Sequence, residues 1–183
     1  MRLIKVGDKL KLSITRNELK KGDVFYVDYK DSLWILEHRF CIRLTEFMGV
    51  YVGNECIQNK IREVLSEHNQ FMLDRFKKDR VVRLSNLFYF DRDLGYCNVL
   101  VDDEGKLLKE KGFDGEDIVV FGISDKLVNF FNLDTVVYLY YSEDTPVIIG
   151  EDVCRETWFY IAPTVLPLKN VLQNLNSKVE ELL

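Results

Sequence analysis

The sequence predicts an α+β fold in which antiparallel β-sheet predominates, with one long central helix and a C-terminal helix packed on the sheets. Three observations favour this fold. Short segments that alternate apolar and polar residues are separated by turn residues through most of the chain. β-branched and aromatic residues are plentiful, whereas Ala162 is the only alanine. Two longer segments instead repeat apolar residues at helical spacing.

The first half of the chain, residues 1–53, predicts short strands joined by tight turns. Two alternating segments, 2–6 and 9–15, flank Gly7-Asp8, which is a signal for a short hairpin turn. Further strands are predicted over 24–29, 33–37 and 47–52. We expect these strands to form a small antiparallel sheet.

A long central helix is predicted over residues 54–80, between the two β-rich halves. Its apolar stripe recurs every three or four positions, at Ile57, Ile61, Val64, Leu65, His68, Met72 and Phe76. Asn54 can cap the N-terminus, and Lys77 and Lys78 suit the negative end of the helix dipole. We expect this stripe to be buried against the sheets.

The second half, residues 81–162, again predicts strands. They are expected over 81–90, 96–101, 118–123, 135–141, 147–149 and 157–161. A brief helix is expected over 126–131, because Ser124 and Asp125 can cap it. The first two of these strands are expected to belong to a β-meander.

The last segment predicts a second helix over residues 167–183, with Pro167 at its start. Leucine and valine residues step by four and three positions, at Leu168, Leu172, Leu175, Val179 and Leu182, which is the spacing of an apolar seam. We favour a helix packed on its own sheet, and the alternative is a dimer seam or a partner contact. The sequence leaves the oligomeric state open, and the whole chain, 1–183, is predicted to be one domain.

Charge is distributed unevenly along the chain, although the net charge is only −5. Residues 1–90 carry 17 Lys or Arg against 12 Asp or Glu, whereas residues 91–183 carry 8 against 18. Such asymmetry can steer a charged partner towards one face of a protein.

The densest acidic region lies on predicted loops and supplies the candidate partner-binding residues. These residues are Asp102, Asp103, Glu104, Asp114, Glu116 and Asp117. Three interpretations compete: a solvated surface, a carboxylate site for Mg²⁺ or acid–base catalysis, and a surface that binds a basic protein. The metal and catalytic interpretations are the weakest, because no histidine lies nearby in sequence and no repeated D-x-D spacing falls on one strand of this region.

A small hydrolase or transferase, with a site assembled from scattered residues, is the first alternative. The common enzyme motifs are absent, including the Walker loop, G-x-G-x-x-G, H-E-x-x-H and G-x-S-x-G. His38 and Cys41 lie close in sequence, and an imidazole can activate a thiol. In a strand, however, positions 38 and 41 face opposite sides, so a direct pair requires a bulge. No catalytic residue is therefore assigned.

A nucleic-acid-binding module is the second alternative. The one basic run, 75–83, contains Arg75, Lys77, Lys78, Arg80 and Arg83, and Phe88, Tyr89 and Phe90 follow it. Basic residues beside aromatic ones are typical of single-stranded nucleic-acid binding. A pI of about 5.2 argues against this function, as does the expected place of the aromatic residues in a core strand.

The cysteines predict neither a metal site nor a disulfide framework. Cys41, Cys56, Cys97 and Cys154 are widely spaced without a C-x-x-C pair, and the chain has two histidines. Buried free thiols are the favoured interpretation, and no cofactor is predicted. The sequence has no apolar segment long enough to span a bilayer and no signal-peptide core, so we expect a cytoplasmic protein.

Two phrases in the first half, LKKGDVFYVDYKDSLWIL and FMGVYVG, share a Gly-Asp turn before an aromatic-containing strand. They resemble the opening strands of an immunity-protein family that occurs beside bacterial polymorphic toxins. The likeness covers residues 18–53, and the glycine-arginine element of the following strand is absent at residues 36–40. We do not assign the chain to this family, but the resemblance favours a small, acidic, inhibitory protein.

The sequence therefore predicts a non-catalytic cytoplasmic protein-binding factor of inhibitor or immunity type. Its acidic loops are expected to steer a basic macromolecular partner and set the association rate. A few aromatic anchors are expected to set the lifetime of the complex. The sequence identifies the charged residues but not the anchors.

Overall fold

The computed structural model describes residues 2–6, 9–17, 24–30, 32–44, 49–52, 55–56, 73–112, 114–115, 117–136 and 138–174. Contacts within the chain divide it into two compact units. The first unit comprises Met1–Lys77 and Ile149–Ile161, and the second comprises Lys78–Ile148 and Ala162–Leu183. That the whole chain forms one domain stays a prediction.

Strands make up most of the described chain. In chain order they are β1 (Arg2–Val6), β2 (Lys9–Ile14), β3 (Val24–Tyr29), β4 (Ser32–Glu37), β5 (Phe40–Leu44), β6 (Gly49–Val52), β7 (Glu55–Cys56), β8 (Arg80–Asp91), β9 (Gly95–Asp102), β10 (Lys109–Lys111), β11 (Ile118–Ser124), β12 (Tyr138–Ser142), β13 (Val147–Glu151), β14 (Thr157–Ile161) and β15 (Thr164–Pro167). Helix α1 (Asp125–Phe131) follows β11, and helix α2 (Leu168–Asn174) follows β15. Short 3₁₀ helices occupy Leu73–Arg75 and Leu133–Thr135.

The first unit combines two groups of paired strands. One group has the order β1-β2-β6-β7, in which β2 and β6 run parallel and the other neighbours run antiparallel. The other group includes the antiparallel pairs β3–β4, β4–β5 and β5–β14. Val6 lies opposite Lys9 across the β1–β2 pair, which confirms the predicted hairpin.

The two faces of the β4–β5–β14 strands differ in chemistry. Side chains alternate along a strand, so Ile35, Ile42 and Phe159 share one face, where all three are fully buried. Trp34 and Arg43 lie opposite each other on the other face. The first face is therefore a hydrophobic core, and the second combines aromatic and charged groups.

The second unit is an antiparallel sheet built around β9. Strands β8 and β11 flank β9, β12 pairs with β8, and β10 and β15 pair with β11. A β-bulge interrupts the β8–β9 register between Leu84 and Phe88. These registers bring the start of β8, the end of β9 and the start of β11 to the same end of the sheet. We call this end the acidic end, because both predicted acidic loops emerge from it.

Helix α1 confirms the brief helix that the sequence predicts. Ser124 occupies its N-cap position without forming a side-chain cap hydrogen bond, and Asn132, whose φ of 53° is left-handed, follows the last helical residue. The helix buries Leu127, Val128 and Phe131. Within the described residues, no helix is long and apolar enough to cross a bilayer.

The predicted C-terminal helix is present over Leu168–Asn174, and residues 175–183 lie outside the described residues. Its Val171 belongs to the core cluster of the second unit, and Leu168 and Leu172 pack against that cluster. Leu168 and Leu172, the described leucines of the apolar seam, therefore pack inside their own unit.

The predicted long central helix over 54–80 is wrong. Glu55–Cys56 is a strand in which Glu55 lies opposite Val52, and Arg80 already begins β8. The sequence favours Asn54 as a helix cap, but the Gly53-Asn54 pair is also a hairpin signal. The pairing of Val52 with Glu55 shows that strands prevail on either side of this pair. Residues 57–72, which carry most of the apolar stripe, lie outside the described residues. The fold is mainly antiparallel sheet, and helices α1 and α2 have seven residues each.

Candidate functional site

The first acidic loop is a compact turn at the end of β9. The backbone N–H of Asp102 donates to the carbonyl of Lys106 at 2.8 Å, and the Asp102 carboxylate accepts from the Lys106 N–H at 2.8 Å. Glu104 forms an exposed ion pair with Lys106 at 3.0 Å, and Asp103 is exposed. The Asp102 carboxylate therefore stabilises the turn itself, while Asp103 and Glu104 face solvent.

The second acidic loop joins β10 to β11 and presents Asp114 and Asp117. The Gly112 N–H donates to the Asp117 carbonyl at 2.8 Å, and the Gly115 N–H donates to the Gly112 carbonyl at 2.9 Å. Gly115 has a φ of +75°, which glycine adopts without strain. Glu116 lies outside the described residues. The structure thus brings Asp114 and Asp117 together in one tight turn, separate from the first loop.

An open cavity of about 730 Å³ lies beside the second acidic loop, and we call it the acidic cavity. Five carboxylates surround it: Glu110, Asp114, Asp117, Glu143 and Asp144. Apolar side chains from β11 and β15 form much of its wall. The cavity therefore combines an apolar interior with an acidic rim.

Tyr141 and Phe121 line the inner part of the acidic cavity. They have exposed fractions of 0% and 2%, and their ring centroids are 5.1 Å apart. The buried Tyr141 hydroxyl has no hydrogen-bond partner among the described residues. Burial, and secondly the charge of Glu110, raises the pKa of Tyr141, so the phenol remains protonated. A buried hydroxyl in this state costs about 1–3 kcal/mol, and a ligand group can recover that free energy.

Cations near the rim neutralise only part of its charge. Arg80 forms an ion pair with Glu143, and its terminal nitrogen lies 3.9 Å from Glu110. Lys169 of α2 lies 3.6 Å from Asp117. With the one lysine among the described lining residues, three cations stand against five carboxylates. The rim therefore favours a cationic ligand.

All three prolines of the chain, Pro146, Pro163 and Pro167, line the acidic cavity. Proline fixes φ and has no backbone N–H. These positions therefore stiffen the wall and present no backbone donor that competes with a cation for the carboxylates. A stiff wall also lowers the entropy lost on binding.

His38 and Cys41 are placed unfavourably for catalysis. His38 lies in the turn between β4 and β5 with an exposed side chain, and its Nδ1 is 2.7 Å from Glu37 Oε1. Cys41 is buried in β5, and burial, followed by the charge of Glu37, raises its pKa to about 12. This thiol is protonated at neutral pH and shielded from solvent, so it is a poor nucleophile.

The described cysteines are free thiols, with Cys41 and Cys97 buried and Cys154 exposed. The side chain of Cys56 lies outside the described residues. In the described part of the chain, no group of three or more His, Cys, Asp or Glu side chains could hold a metal ion.

The basic run makes several contacts inside the second unit. Arg80 pairs with Glu143, the Arg83 guanidinium donates to the Asp103 carbonyl, and the Lys78 ammonium lies 5.6 Å from the ring centroid of Tyr140. These side chains therefore contribute to ion pairs, a hydrogen bond and a ring contact.

Strand β8 exposes aromatic residues that the sequence places in a core. Phe88, Phe90 and the neighbouring Tyr96 are 51%, 57% and 57% exposed, and the rings of Phe90 and Tyr96 lie 5.2 Å apart. Tyr89 instead packs against the core cluster. The core expectation is wrong for Phe88 and Phe90, because alternation along β8 sends them to the face opposite Tyr89.

Sequence reasoning missed Glu110, Glu143, Asp144 and Tyr141 as members of the candidate site. The acidic pair Glu143-Asp144 stands two residues before Pro146, which is a turn signal but not a site signal. Its position beside the second acidic loop depends on strand pairings distant in sequence. No family model, curated protein or solved structure matches the chain.

Proposed function

We propose that this chain is a non-catalytic, cytoplasmic protein-binding factor, of inhibitor or immunity type, that binds a basic segment of a partner protein in the acidic cavity. The observation that carries the proposal is the combination of an apolar interior, five carboxylates and the buried Tyr141 hydroxyl in one cavity. Its volume of about 730 Å³ suits a short peptide segment better than a single side chain.

Lysine and arginine side chains match this cavity along their whole length. Their methylene stems can lie on the proline and valine walls, while the charged head reaches the carboxylate rim. Carboxylates accept charge-assisted hydrogen bonds from guanidinium and ammonium groups. Long-range attraction by the acidic rim also increases the association rate with a basic partner.

Neutralising the rim is expected to weaken partner binding about 30-fold at low salt, because three charge-assisted contacts are lost. The variant is Asp114→Asn/Asp117→Asn/Asp144→Asn, which leaves the Arg80 ion pairs intact. The tagged chain is purified from its native host at low salt, the bound protein is identified by mass spectrometry, and its dissociation constant is measured at several salt concentrations.

The matched control is Asp102→Asn/Asp103→Asn/Glu104→Gln, which removes the same charge from the first acidic loop. We expect it to slow association slightly and to leave the dissociation rate unchanged, since these residues do not line the cavity. Equal losses in both variants would show that net charge alone matters. That result, or recovery of no protein partner, contradicts the proposed function.

Tyr141→Phe is expected to stabilise the free protein yet weaken the complex. Removing a buried hydroxyl that lacks a described partner should raise the free energy of unfolding of the second unit by about 1 kcal/mol. Partner affinity should fall about tenfold if the hydroxyl bonds to the bound segment. Hydrogen exchange of the β9 and β12 amides measures the first effect, and the dissociation constant measures the second.

Tyr140→Phe, in the same strand, is the control and should leave the affinity unchanged. A Tyr141→Phe variant that is less stable and binds normally would show that the hydroxyl has a structural role only.

A further inference from the structure

We propose that the first unit contains a second, independent binding site, an aromatic cavity that binds a neutral planar ring carrying a carbonyl oxygen. This cavity has a volume of about 460 Å³ and lies on the face of the β4–β5–β14 strands that carries Trp34 and Arg43. It does not depend on the acidic cavity, because all its described lining residues belong to the first unit.

Aromatic side chains form the walls of the aromatic cavity. The ring of Tyr160 lies 5.3 Å from Trp34 and 5.0 Å from Phe76, measured between centroids. Tyr29 meets Trp34 edge-on at 6.4 Å. Such a set of ring faces and edges favours a flat guest that can stack in an offset or edge-to-face arrangement.

Two of the residues that line the same cavity, Trp34 and Arg43, each carry a buried donor. Trp34 is 3% exposed, and its indole N–H has no hydrogen-bond acceptor within the described parts of the chain. The Nε–H of Arg43, directly opposite on β5, is likewise buried with no acceptor there. Donors of this kind are costly to leave unsatisfied. A carbonyl oxygen has two lone pairs and can therefore satisfy both.

The existing charges favour a neutral guest. The two terminal nitrogens of Arg43 each lie 2.9 Å from a carboxylate, one on Asp152 and one on Glu156. Lys30 lies 3.3 Å from Asp74, which also accepts a hydrogen bond from a tyrosine of the wall. The described lining residues carry two carboxylates, Asp74 and Glu156, and two cations, Lys30 and Arg43. An added anion and an added cation would therefore each meet repulsion from two like charges. A neutral ring with an oxygen acceptor avoids both repulsions.

Three bicyclic aromatic probes of different charge separate these possibilities: neutral 2-quinolone, anionic 2-naphthoate and cationic N-methylquinolinium. The full-length, ¹⁵N-labelled protein is titrated with each probe and followed by NMR of the indole N–H groups. Trp34 and Trp158 are the only tryptophans, so Trp158 serves as an internal control. We expect 2-quinolone to shift the Trp34 indole proton downfield, to leave Trp158 unchanged, and to bind about tenfold more tightly than either charged probe.

Trp34→Phe keeps an aromatic wall but removes the donor, and it should lower the affinity for 2-quinolone about tenfold. Trp158→Phe should have no effect on that affinity. The NMR titration needs no variant, so it stands even if Trp34→Phe folds poorly. The proposal is overturned if 2-quinolone leaves the Trp34 resonance in place, if the three probes bind equally, or if a charged probe binds best.

Discussion

Replacing Gly150 with alanine is expected to destabilise the first unit by about 3 kcal/mol, at the upper end of what overpacking costs. Gly150 lies in β13 beneath the fully buried ring of Phe159, and a Cβ at this position would overlap the ring. Neither the Gly150 backbone nor the Phe159 ring can move away without disturbing the core. Both tryptophans lie in the first unit, so guanidinium unfolding followed by tryptophan fluorescence measures the loss.

A second substitution tests whether the overlap is the cause. Gly150→Ala combined with Phe159→Leu should recover part of the lost stability, because the smaller side chain leaves room for the new methyl group. Gly122→Ala, whose Cβ would lie 2.9 Å from the flexible end of Leu166 in the second unit, should leave the tryptophan transition unchanged. A Gly150→Ala protein as stable as the wild type would contradict the packing described here.

Alkaline pH is expected to lower the free energy of unfolding of the first unit by roughly 4 kcal/mol between pH 8 and pH 11. Burial raises the pKa of Cys41 from 9.0 to about 12, and burial also raises the pKa of Tyr160. Above pH 9 the unfolded chain releases protons that the native state still holds. Stability is therefore fully present below about pH 8 and is lost as the pH rises from the unfolded pKa values of these groups towards their raised native values.

Denaturant midpoints measured at pH 8, 9, 10 and 11 test this expectation. Cys41→Ala should remove more than half of the pH dependence and Tyr160→Phe most of the rest, because the unfolded cysteine ionises at lower pH. If the free energy of unfolding falls equally steeply with pH in the combined Cys41→Ala/Tyr160→Phe variant, other groups cause the effect.

Local patterns predicted most of the strands and the helix at α1, because alternation and caps are properties of neighbouring residues. The segment Val24–Tyr29 alternates clearly and forms β3 as expected. Strand β5 was missed, because the His38-Arg39 turn before it has none of the usual turn residues and one of its partners, β14, lies more than a hundred residues away. The segment after Asn54 fitted the start of a helix in sequence, but Glu55 and Cys56 pair with β6.

The candidate site was predicted less completely than the fold. Acidic loops with glycine are visible in sequence, and Asp114 and Asp117 do line the acidic cavity. Tyr141 looks like any residue of an alternating strand, and its buried hydroxyl is a property of the packed sheet. The turn after β12 lies near the second acidic loop because β12 pairs with β8, β8 pairs with β9, and β9 pairs with β11. No local sequence pattern specifies these pairings.

The first unit is interrupted in sequence, and this has a consequence for synthesis on the ribosome. Strand β5 ends at Leu44, but its partner β14 begins only at Thr157. At about 5–20 residues per second, a nascent chain carries β5 for roughly ten seconds before that partner exists. During that interval an apolar strand edge is open to pairing with other chains. Slower translation of the second unit would lengthen this interval, so the yield of folded protein should depend on elongation rate and on chaperones that shield the edge.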